Sequence, residues 1–452
     1  MLISVMAVSA TTGISLPLLL VVPSVRAIAL VAAGVYHLVG PIAGRDELLR
    51  LFATYVAGSA VGYGLAFFVS GGPMRDKLTV AFVESVVVLG LMSAYRVAAA
   101  GIKRSAAPPT SSGKTGGADQ PMHPNMMEMF AALLGADRVY QPSGFWSHLS
   151  QEHLRQLASL AGITNLKRTV NTSYFQFGLV ALIYSVPRLA AAWIRWPDVD
   201  VFRARTVDGP TLRGRLLAIL VGLYANAIRH RPYGQLLDQI SEPRFGNPVA
   251  IGFKGHLISE DLCHSVEEYA SVMAGMDRNF EPRRVLELGA GYGRLAYVFA
   301  TAKPSSQYFI VDIPPALYVS QTYLATVLPE IRIFSFRRFE SLPEVATEMS
   351  ASNLIFLEPQ QLECFPDGYF DLVLTVSTLH EMRRDQIAHY LKSIDRLCGG
   401  YFYMKQWRRF YNRSDDIVVT RADYIAASRW VRVFERSPMV PRTFFEVLYR
   451  CR

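Results

Sequence analysis

Long apolar stretches dominate the first hundred residues and give way to alternating apolar and polar segments further on. The apolar runs cover 2–22, 25–40, 48–71 and 78–101, with short turns containing proline, glycine or charged residues between them. Most of these runs reach or approach the ~20 residues that an α-helix needs to cross a bilayer. We therefore predict an all-α transmembrane domain of about four helices over residues 1–104.

The next two segments differ from the first in composition. Residues 105–121 (SAAPPTSSGKTGGADQP) have too little apolar content to pack and predict a flexible linker. Residues 122–255 predict a helical subdomain. Within it the apolar run 175–196 is interrupted at Pro187, which favours a buried core helix or a membrane-surface helix over a fifth span.

The charged residues predict the orientation of the membrane domain and exclude one class of partner. Basic residues crowd the end of the last apolar run (Arg96, Lys103, Arg104, Lys114), which the positive-inside rule places in the cytoplasm. The net charge of +9 fits contact with membrane lipid or with a phosphorylated substrate. No nucleic-acid signature accompanies it, so nucleic acid is not an expected partner.

Residues 256–452 predict an α/β domain. The segment RVLELGAGYGRLAYVF, from Arg284, has the pattern of a strand, a glycine-rich turn and a helix. A second apolar strand, in QYFIVDIPP, ends at Asp312, where a carboxylate can accept both hydroxyls of a ribose. Further strands are predicted at 370–376 and 399–405, and a hairpin-like pair at the end of the chain. The loop and Asp312 by themselves fit either a dinucleotide or S-adenosylmethionine as the ligand.

Candidate chemistry follows the fourth strand, in VSTLHEM. Because strand ends at this edge of the sheet face the ligand crevice, we assign His380 as general base and Glu381 as its orienter or a substrate ligand. The alternative is that His380 caps the following helix. His264, Lys405 and Trp407 are tentative substrate-binding residues. We identify no cluster of metal ligands. The sequence does not exclude a divalent metal bound by carboxylates.

The loop has the form GxGxG preceded by Glu287, and this form resembles the first motif of class I S-adenosylmethionine-dependent methyltransferases. From Asn171 onward, SEPRFGNP, VDIPPALYVSQTYL, STLHEM, YFYMKQW and FFEVLY resemble a bacterial family of sugar O-methyltransferases. The resemblance implies a Rossmann-like domain with a seven-stranded sheet and an antiparallel last strand. It also implies S-adenosylmethionine as cofactor and a saccharide as acceptor. The implied cofactor-binding residues are Glu287, Gly289, Ala290, Gly291, Tyr292, Gly293, Asp312, Ile313, Gln360, Gln361 and Ser377.

The first hundred residues, with GVYHLVGPIAGRDELLRLF, resemble the four-helix membrane domain that precedes nucleotide-sugar epimerase or dehydratase domains in bacterial polysaccharide-biosynthesis proteins. Together the two resemblances imply a multi-pass protein of the bacterial inner membrane whose catalytic domain faces the cytoplasm. Its acceptor would be a cell-surface saccharide or a lipid- or nucleotide-linked precursor, and polysaccharide-biosynthesis proteins are expected partners. The alternatives are an O-methyltransferase of a non-sugar metabolite or lipid, and an inactive scaffold of a polysaccharide-assembly complex. The sequence specifies no oligomeric state.

Overall fold

The computed structural model describes residues 123–158, 162–169 and 178–451, which lie in one compact unit. The predicted transmembrane domain over 1–104 and the predicted linker over 105–121 fall outside these residues. Within the described part of the chain, none of the helices combines the length and the apolar content that crossing a bilayer requires.

The first part of the described chain, within the range 122–255, is mainly helical. Its α-helices are α1 (Pro124–Leu134), α2 (Gly144–Leu157), α3 (Gly178–Arg195) and α4 (Leu212–Arg229). A three-stranded antiparallel sheet accompanies them, formed by β1 (Arg205–Thr206), β2 (Ala250–Phe253) and β3 (His256–Ser259). The predicted domain boundary after residue 255 falls inside this sheet, between β2 and β3. Strands this short give too weak a periodic signal to be separated from their surroundings in the sequence.

Helix α3 contains Pro187, the residue that interrupts the apolar run 175–196, and continues through it. Proline removes one backbone hydrogen bond from a helix, but buried side chains on both sides can hold the helix together. Leu182 and Leu189 are fully buried on either side of Pro187. The described part of the apolar run therefore forms a core helix, whereas Ile194 near its end is 72% exposed.

The remaining elements build an α/β sheet domain. The strands of its large sheet are β4 (Arg284–Leu288), β5 (Gln307–Val311), β6 (Ile333–Phe334), β7 (Leu354–Leu357), β8 (Phe370–Val376), β9 (Cys398–Trp407), β12 (Trp430–Arg436) and β13 (Phe444–Cys451). A separate hairpin joins β10 (Arg409–Asn412) to β11 (Ile417–Thr420). The helices of this part are α5 (Glu260–Gly275), α6 (Arg294–Ala302), α7 (Ala316–Val327), α8 (Leu342–Ser350) and α9 (Arg384–Leu397).

The large sheet has eight strands in the order β12-β13-β9-β8-β4-β5-β7-β6. Strands β4 to β9 are parallel, whereas β13 is antiparallel to both of its neighbours, β9 and β12. This confirms the predicted reversed last strand. The additional strand is β6, which has only two residues and pairs at the edge with β7. Two residues are too few to produce an alternating pattern in the sequence.

Alternate residues of the central strands supply two separate cores. In β5, Phe309 and Val311 belong to one apolar cluster and Ile310 belongs to the other. Because successive side chains of a strand point to opposite faces, the sheet is covered by apolar packing on both faces. The carboxyl ends of the parallel strands therefore form the open edge where polar loops can meet a ligand.

Candidate active site

The glycine-rich loop after β4 has the conformation that its sequence predicts. Gly289, Gly291 and Gly293 have φ angles of 77°, 59° and 89°, a region that side chains with a Cβ rarely enter. A Cβ at Gly289 would also collide with the side chain of Thr378, which follows β8. The backbone of this loop therefore lies close to the neighbouring strand end, where only glycine fits.

A cavity of about 670 Å³, including its open mouth, lies at the carboxyl ends of β4, β5 and β8. Several of the residues predicted from the sequence line it together: Gly289, Gly291, Asp312, Ile313, Ser377 and Glu381. The segment that leads into α2 and the first turns of α2 line it as well, with Tyr140, Gln141, Pro142, Ser143, Trp146 and Leu149. The cavity thus joins the glycine-rich loop, a carboxylate and a second carboxyl group in one site.

Asp312 is held in place by backbone amides at the end of β5. Its Oδ2 accepts a hydrogen bond from Gly291 N at 2.9 Å, and its Oδ1 accepts one from Ile313 N at 2.8 Å. Burial raises the pKa of Asp312 to about 7, although these amides oppose the shift. Each carboxylate oxygen has a further lone pair, so the fixed group can still accept hydroxyl donors from a ligand.

Four predicted cofactor residues, Glu287, Ala290, Tyr292 and Gly293, shape the loop without lining the cavity. Glu287 is buried and its Oε2 accepts a hydrogen bond from Tyr308 Oη at 2.8 Å. Burial raises the pKa of Glu287 to about 8. Tyr292 is also buried and donates from Oη to Asp261 Oδ2 at 3.1 Å. These side chains support the loop from behind.

The amides proposed at the adenine position have structural partners. Gln361 accepts from Glu358 N and donates to the Arg337 carbonyl, both at 2.9 Å. Gln360 donates from Nε2 to Glu358 Oε2 at 2.6 Å. Neither amide lines the cavity, whereas the preceding residue, Pro359, does. The acidic residue that directly follows β7 is Glu358. It is buried, and burial raises its pKa to about 8.

The structure reverses the expected positions of His380 and Glu381. His380 is buried behind the cavity, with its ring centroid 4.5 Å from that of Phe410. Its Nδ1 lies 3.0 Å from Gln406 Oε1, and its Nε2 lies 3.5 Å from Glu381 Oε1. Gln406 Oε1 also accepts from Thr378 N at 3.1 Å, so His380 Nδ1 acts as the donor and Nε2 faces the carboxyl group. Burial lowers the pKa of His380 to about 4.

Glu381 is the member of the pair that lines the cavity. Its Oε2 accepts a hydrogen bond of 3.0 Å from the indole Nε1 of Trp146. Burial raises the pKa of Glu381 well above its usual range, and nearby Asp312 adds to the shift, while the Trp146 bond opposes it. A poorly solvated carboxylate in this position is a stronger base than an exposed one.

The three tentative substrate residues do not line this cavity. Lys405 is buried and donates from Nζ to Glu268 Oε1 at 2.8 Å. Trp407 packs against Phe444 with a centroid separation of 4.8 Å. His264 is buried on α5, where its Nδ1 lies 2.9 Å from Tyr224 Oη. Among the residues that the structure describes, no cluster of His, Cys, Asp and Glu is arranged to hold a metal ion.

Sequence reasoning missed the contribution of the segment before α2. Ser143 caps α2 by accepting from Trp146 N, and its hydroxyl donates to the Glu381 carbonyl at 2.7 Å. Asp415, in the β10–β11 turn, accepts from Gly144 N at 2.9 Å and Phe145 N at 3.1 Å. The serine before a helical pattern was the available signal for the cap. Nothing local in the sequence indicates that this cap lies against the loop after β8.

No protein-family model matches the sequence, and no curated protein matches it. Solved structures similar to this chain include the PH0226 protein of Pyrococcus horikoshii, with 13% identity over 43% of this chain and 92% of that chain, and a TM-score of 0.31. Magnesium protoporphyrin IX methyltransferase of Synechocystis has 12% identity over 43% of this chain and 86% of that chain, with a TM-score of 0.31. The 1,6-didemethyltoxoflavin-N1-methyltransferase of Burkholderia thailandensis has 16% identity over 42% of this chain and 78% of that chain, with a TM-score of 0.29.

The fold of the chain follows from its own large sheet. The parallel strands, the reversed β13 inserted beside β9, the glycine-rich loop after β4 and the carboxylate after β5 form a Rossmann-like arrangement. This is the arrangement expected from the sequence resemblance to class I methyltransferases.

Proposed function

We propose that this chain is an S-adenosylmethionine-dependent O-methyltransferase whose donor and acceptor meet in the cavity at the carboxyl ends of β4, β5 and β8. The observation that carries the proposal is that one cavity is lined by the glycine-rich loop, by Asp312 and by Glu381. The first two are suited to hold a nucleoside, and the third is suited to take a proton.

The residues present fit the donor. Asp312 has acceptor capacity left for the two ribose hydroxyls after its bonds to Gly291 N and Ile313 N. Ile313 and Pro359 provide apolar surface for a base. At Gly289 and Gly291 the backbone itself borders the cavity, so a ligand can approach it closely. When bound, the donor supplies a methyl group that is already activated by the positive charge on sulfur.

The chain has to orient the acceptor hydroxyl and remove its proton, because an alkyl hydroxyl is a weak nucleophile. Glu381 is the group in the cavity that can accept this proton as the new carbon–oxygen bond forms. Trp146 holds one of its oxygens at 3.0 Å, and the other lies 3.5 Å from His380 Nε2. With Nδ1 as the donor of the neutral ring, Nε2 has a lone pair toward this oxygen, so His380 can accept a hydrogen bond from the carboxyl group only after that group has taken the proton.

The class of acceptor and the membrane location are proposed from the sequence. VDIPPALY and STLHEM support a saccharide hydroxyl as acceptor, and the apolar runs over 1–104 support an anchor in the bacterial inner membrane with the catalytic unit in the cytoplasm. An acceptor made at or carried by the membrane fits both features. The proposed product is a methyl ether on a cell-surface saccharide or on its lipid- or nucleotide-linked precursor.

The test is methyl transfer in membranes that contain the full chain, with a donor labelled in its methyl group. We expect label in a saccharide-containing fraction, and an initial rate of labelling at least about 100-fold lower when Glu381→Gln replaces the native chain. Label confined to lipid that contains no saccharide would refute the sugar acceptor. Label on nitrogen or carbon would refute the O-methylation.

A further inference from the structure

Helix α3 has apolar side chains on the side that faces away from the core. Its other side packs into the core, where Leu182 and Leu189 are buried. From residue 181 to residue 194 the exposed positions are all apolar: Ile183, Pro187, Ala191 and Ile194. Successive positions differ by three or four residues, so they lie along one side of the helix. A helix at an ordinary aqueous surface has polar residues at such positions.

The turn that follows α3 continues this apolar surface. Val199 and Phe202, at the two ends of the turn, are 63% and 47% exposed. The ring of Phe202 lies edge-on against that of Trp193, with 5.6 Å between the centroids, and Trp193 directly precedes Ile194. Trp193 Nε1 also donates to the Asp198 carbonyl at 3.0 Å, which holds the turn against the helix. We refer to the exposed apolar residues of the helix and the turn as the α3 face: Ile183, Pro187, Ala191, Ile194, Val199 and Phe202.

The acidic residues close to the α3 face are paired with basic side chains. Asp198 and Asp200 are the acidic residues of the segment 178–206. Asp198 Oδ2 lies 2.7 Å from Lys254 Nζ, and Asp200 Oδ1 lies 3.2 Å from a guanidinium nitrogen of Arg203. Within this segment, therefore, each acidic group has a basic partner.

Two arginines beside the α3 face have no acidic partner. Arg195, the last residue of α3, is exposed, and its guanidinium carbon lies 4.7 Å from the centroid of the Trp196 ring. Arg205 is also exposed and donates to backbone carbonyls, among them that of Arg203 at 3.0 Å. Neither arginine forms an ion pair with another residue of the described ranges. Exposed apolar side chains beside a tryptophan and unpaired arginines complement the headgroup region of an anionic bilayer.

We propose that the α3 face docks on the surface of an anionic phospholipid bilayer. Ile194, Val199 and Phe202 enter the boundary between headgroups and acyl chains, and Arg195 and Arg205 lie at the lipid phosphates. Helix α3 does not combine the length and the apolar content needed to cross a bilayer, which suits a helix that lies in the plane of the interface. In a symmetric contact between two copies of the chain, the same face would bring identical arginines together.

Docking would orient the catalytic unit as well as hold it. The proposed anchor over 1–104 and the linker over 105–121 already keep this unit near a bilayer, so a weak surface contact is sufficient to select one orientation. The inference rests on the proposed anchor and does not depend on methyl transfer.

Tryptophan fluorescence of the full chain in nanodiscs tests the docking. All five tryptophans lie between residues 146 and 430, outside the predicted anchor, and Trp193 and Trp196 adjoin the α3 face. The discs contain phosphatidylcholine with or without phosphatidylglycerol, and acyl chains that are either unmodified or brominated near the headgroup, since bromine quenches tryptophan on contact. We expect quenching that is stronger with phosphatidylglycerol and that is lost when Trp193→Phe and Trp196→Phe are combined.

Ile194→Asp should remove about half of this quenching or more, because it places a carboxylate among the lipids. Ile425→Asp is the matched control, since Ile425 is 76% exposed, against 72% for Ile194, and lies outside the α3 face. It should leave the quenching unchanged. Both positions are exposed, so both variants should fold as the native chain does, which thermal unfolding checks.

The charges are tested with a second pair of variants. Combining Arg195→Gln with Arg205→Gln should lower the quenching in phosphatidylglycerol discs toward its value in neutral discs. Combining Arg278→Gln with Arg283→Gln removes the same charge from two exposed arginines outside the α3 face and should have no such effect.

Unquenched tryptophans in phosphatidylglycerol discs, or equal losses for Ile194→Asp and Ile425→Asp, would overturn the docking. Unquenched tryptophans together with fewer chains per particle in Ile194→Asp would assign the face to a second copy of the chain. A chain that does not enter nanodiscs would refute the proposed anchor, and the same variants are then compared by flotation with phosphatidylglycerol vesicles. Binding that Ile194→Asp weakens and Ile425→Asp does not would preserve the docking, and absence of binding would refute it as well.

Discussion

The indole Nε1 of Trp146 donates a hydrogen bond of 3.0 Å to Oε2 of Glu381. One residue belongs to α2 in the helical segment, and the other follows β8 at the centre of the sheet. The bond therefore ties the helical segment to the carboxyl group that we propose as the base. It also couples the position of that segment to the protonation of the site.

Replacing Glu381 by glutamine is expected to lower turnover by about 10²- to 10⁴-fold, the usual contribution of a positioned general base. Glutamine retains an oxygen that can accept from Trp146, so the local structure and the donor affinity should be preserved. Single-turnover kinetics and donor binding measured on the same preparation check this. Turnover within about twofold of the native value would remove Glu381 from the mechanism.

The pH dependence of kcat/KM distinguishes Glu381 from His380 as the base. The pKa of Glu381 is raised by burial, so the active carboxylate should be present above that raised pKa and be lost as the pH falls through it. The pKa of His380, lowered by burial to about 4, keeps the ring neutral above that pH and adds no step near neutrality. Asp312, with a pKa of about 7, can add an acidic limb of its own through donor binding, so the decisive profile is the single-turnover rate at saturating donor. In that profile, an acidic limb that survives Glu381→Gln unchanged would contradict the assignment.

Trp146→Phe should move that limb to higher pH. The hydrogen bond from Trp146 lowers the pKa of Glu381, so its loss raises the pKa further and reduces the ionised fraction at neutral pH. Trp193→Phe is a matched control, because Trp193 Nε1 also donates a 3.0 Å bond, but to the Asp198 carbonyl outside the cavity. A shift of the same size in both variants would mean that the effect is not specific to the site.

Much of the sheet could be predicted because its strands are strongly apolar. The bounds predicted for β8, 370–376, match Phe370–Val376, and the expected hairpin-like pair is formed by β12 and β13. The glycine-rich loop could be predicted because its glycines lie close together in the sequence.

The side-chain directions could not be predicted. His380 and Glu381 are neighbours in the single turn Leu379–Glu381, and the direction of that turn decides which of them reaches the cavity. Ser377, with a φ of 56°, sets this direction where the chain leaves β8. Trp146 lies 235 residues before its partner, so no periodic pattern connects the two.

Asp312→Asn should weaken the affinity for S-adenosylmethionine by about 10- to 100-fold, the loss expected for hydrogen bonds to a charged group. Because Gly291 N and Ile313 N bind different oxygens, Asn keeps the acceptor of only one of these amides, and it offers a ribose hydroxyl an NH₂ group in place of the second oxygen. Asp385→Asn, at an exposed position in the first turn of α9, is the control and should bind the donor as the native chain does. Equal affinities for all three proteins would show that Asp312 does not contact the donor.

Gly289→Ala should reduce both stability and donor binding. A Cβ at this position collides with Thr378, and the positive φ of 77° adds strain of about 1–3 kcal/mol. Adding Thr378→Ala removes the two closest atoms, so the double variant should recover part of the thermal stability but not the strain of the backbone. Additive losses in the double variant, measured by thermal unfolding, would argue against the contact.

The central claim is that the cavity formed by the glycine-rich loop and Asp312 holds a sulfonium nucleoside. Titration calorimetry of the full chain in detergent with S-adenosylmethionine, S-adenosylhomocysteine and NAD tests it directly. The account predicts saturable binding of the first two, weakened by Asp312→Asn, and no binding of NAD. Binding of NAD, or no heat from either sulfur nucleoside, would contradict it.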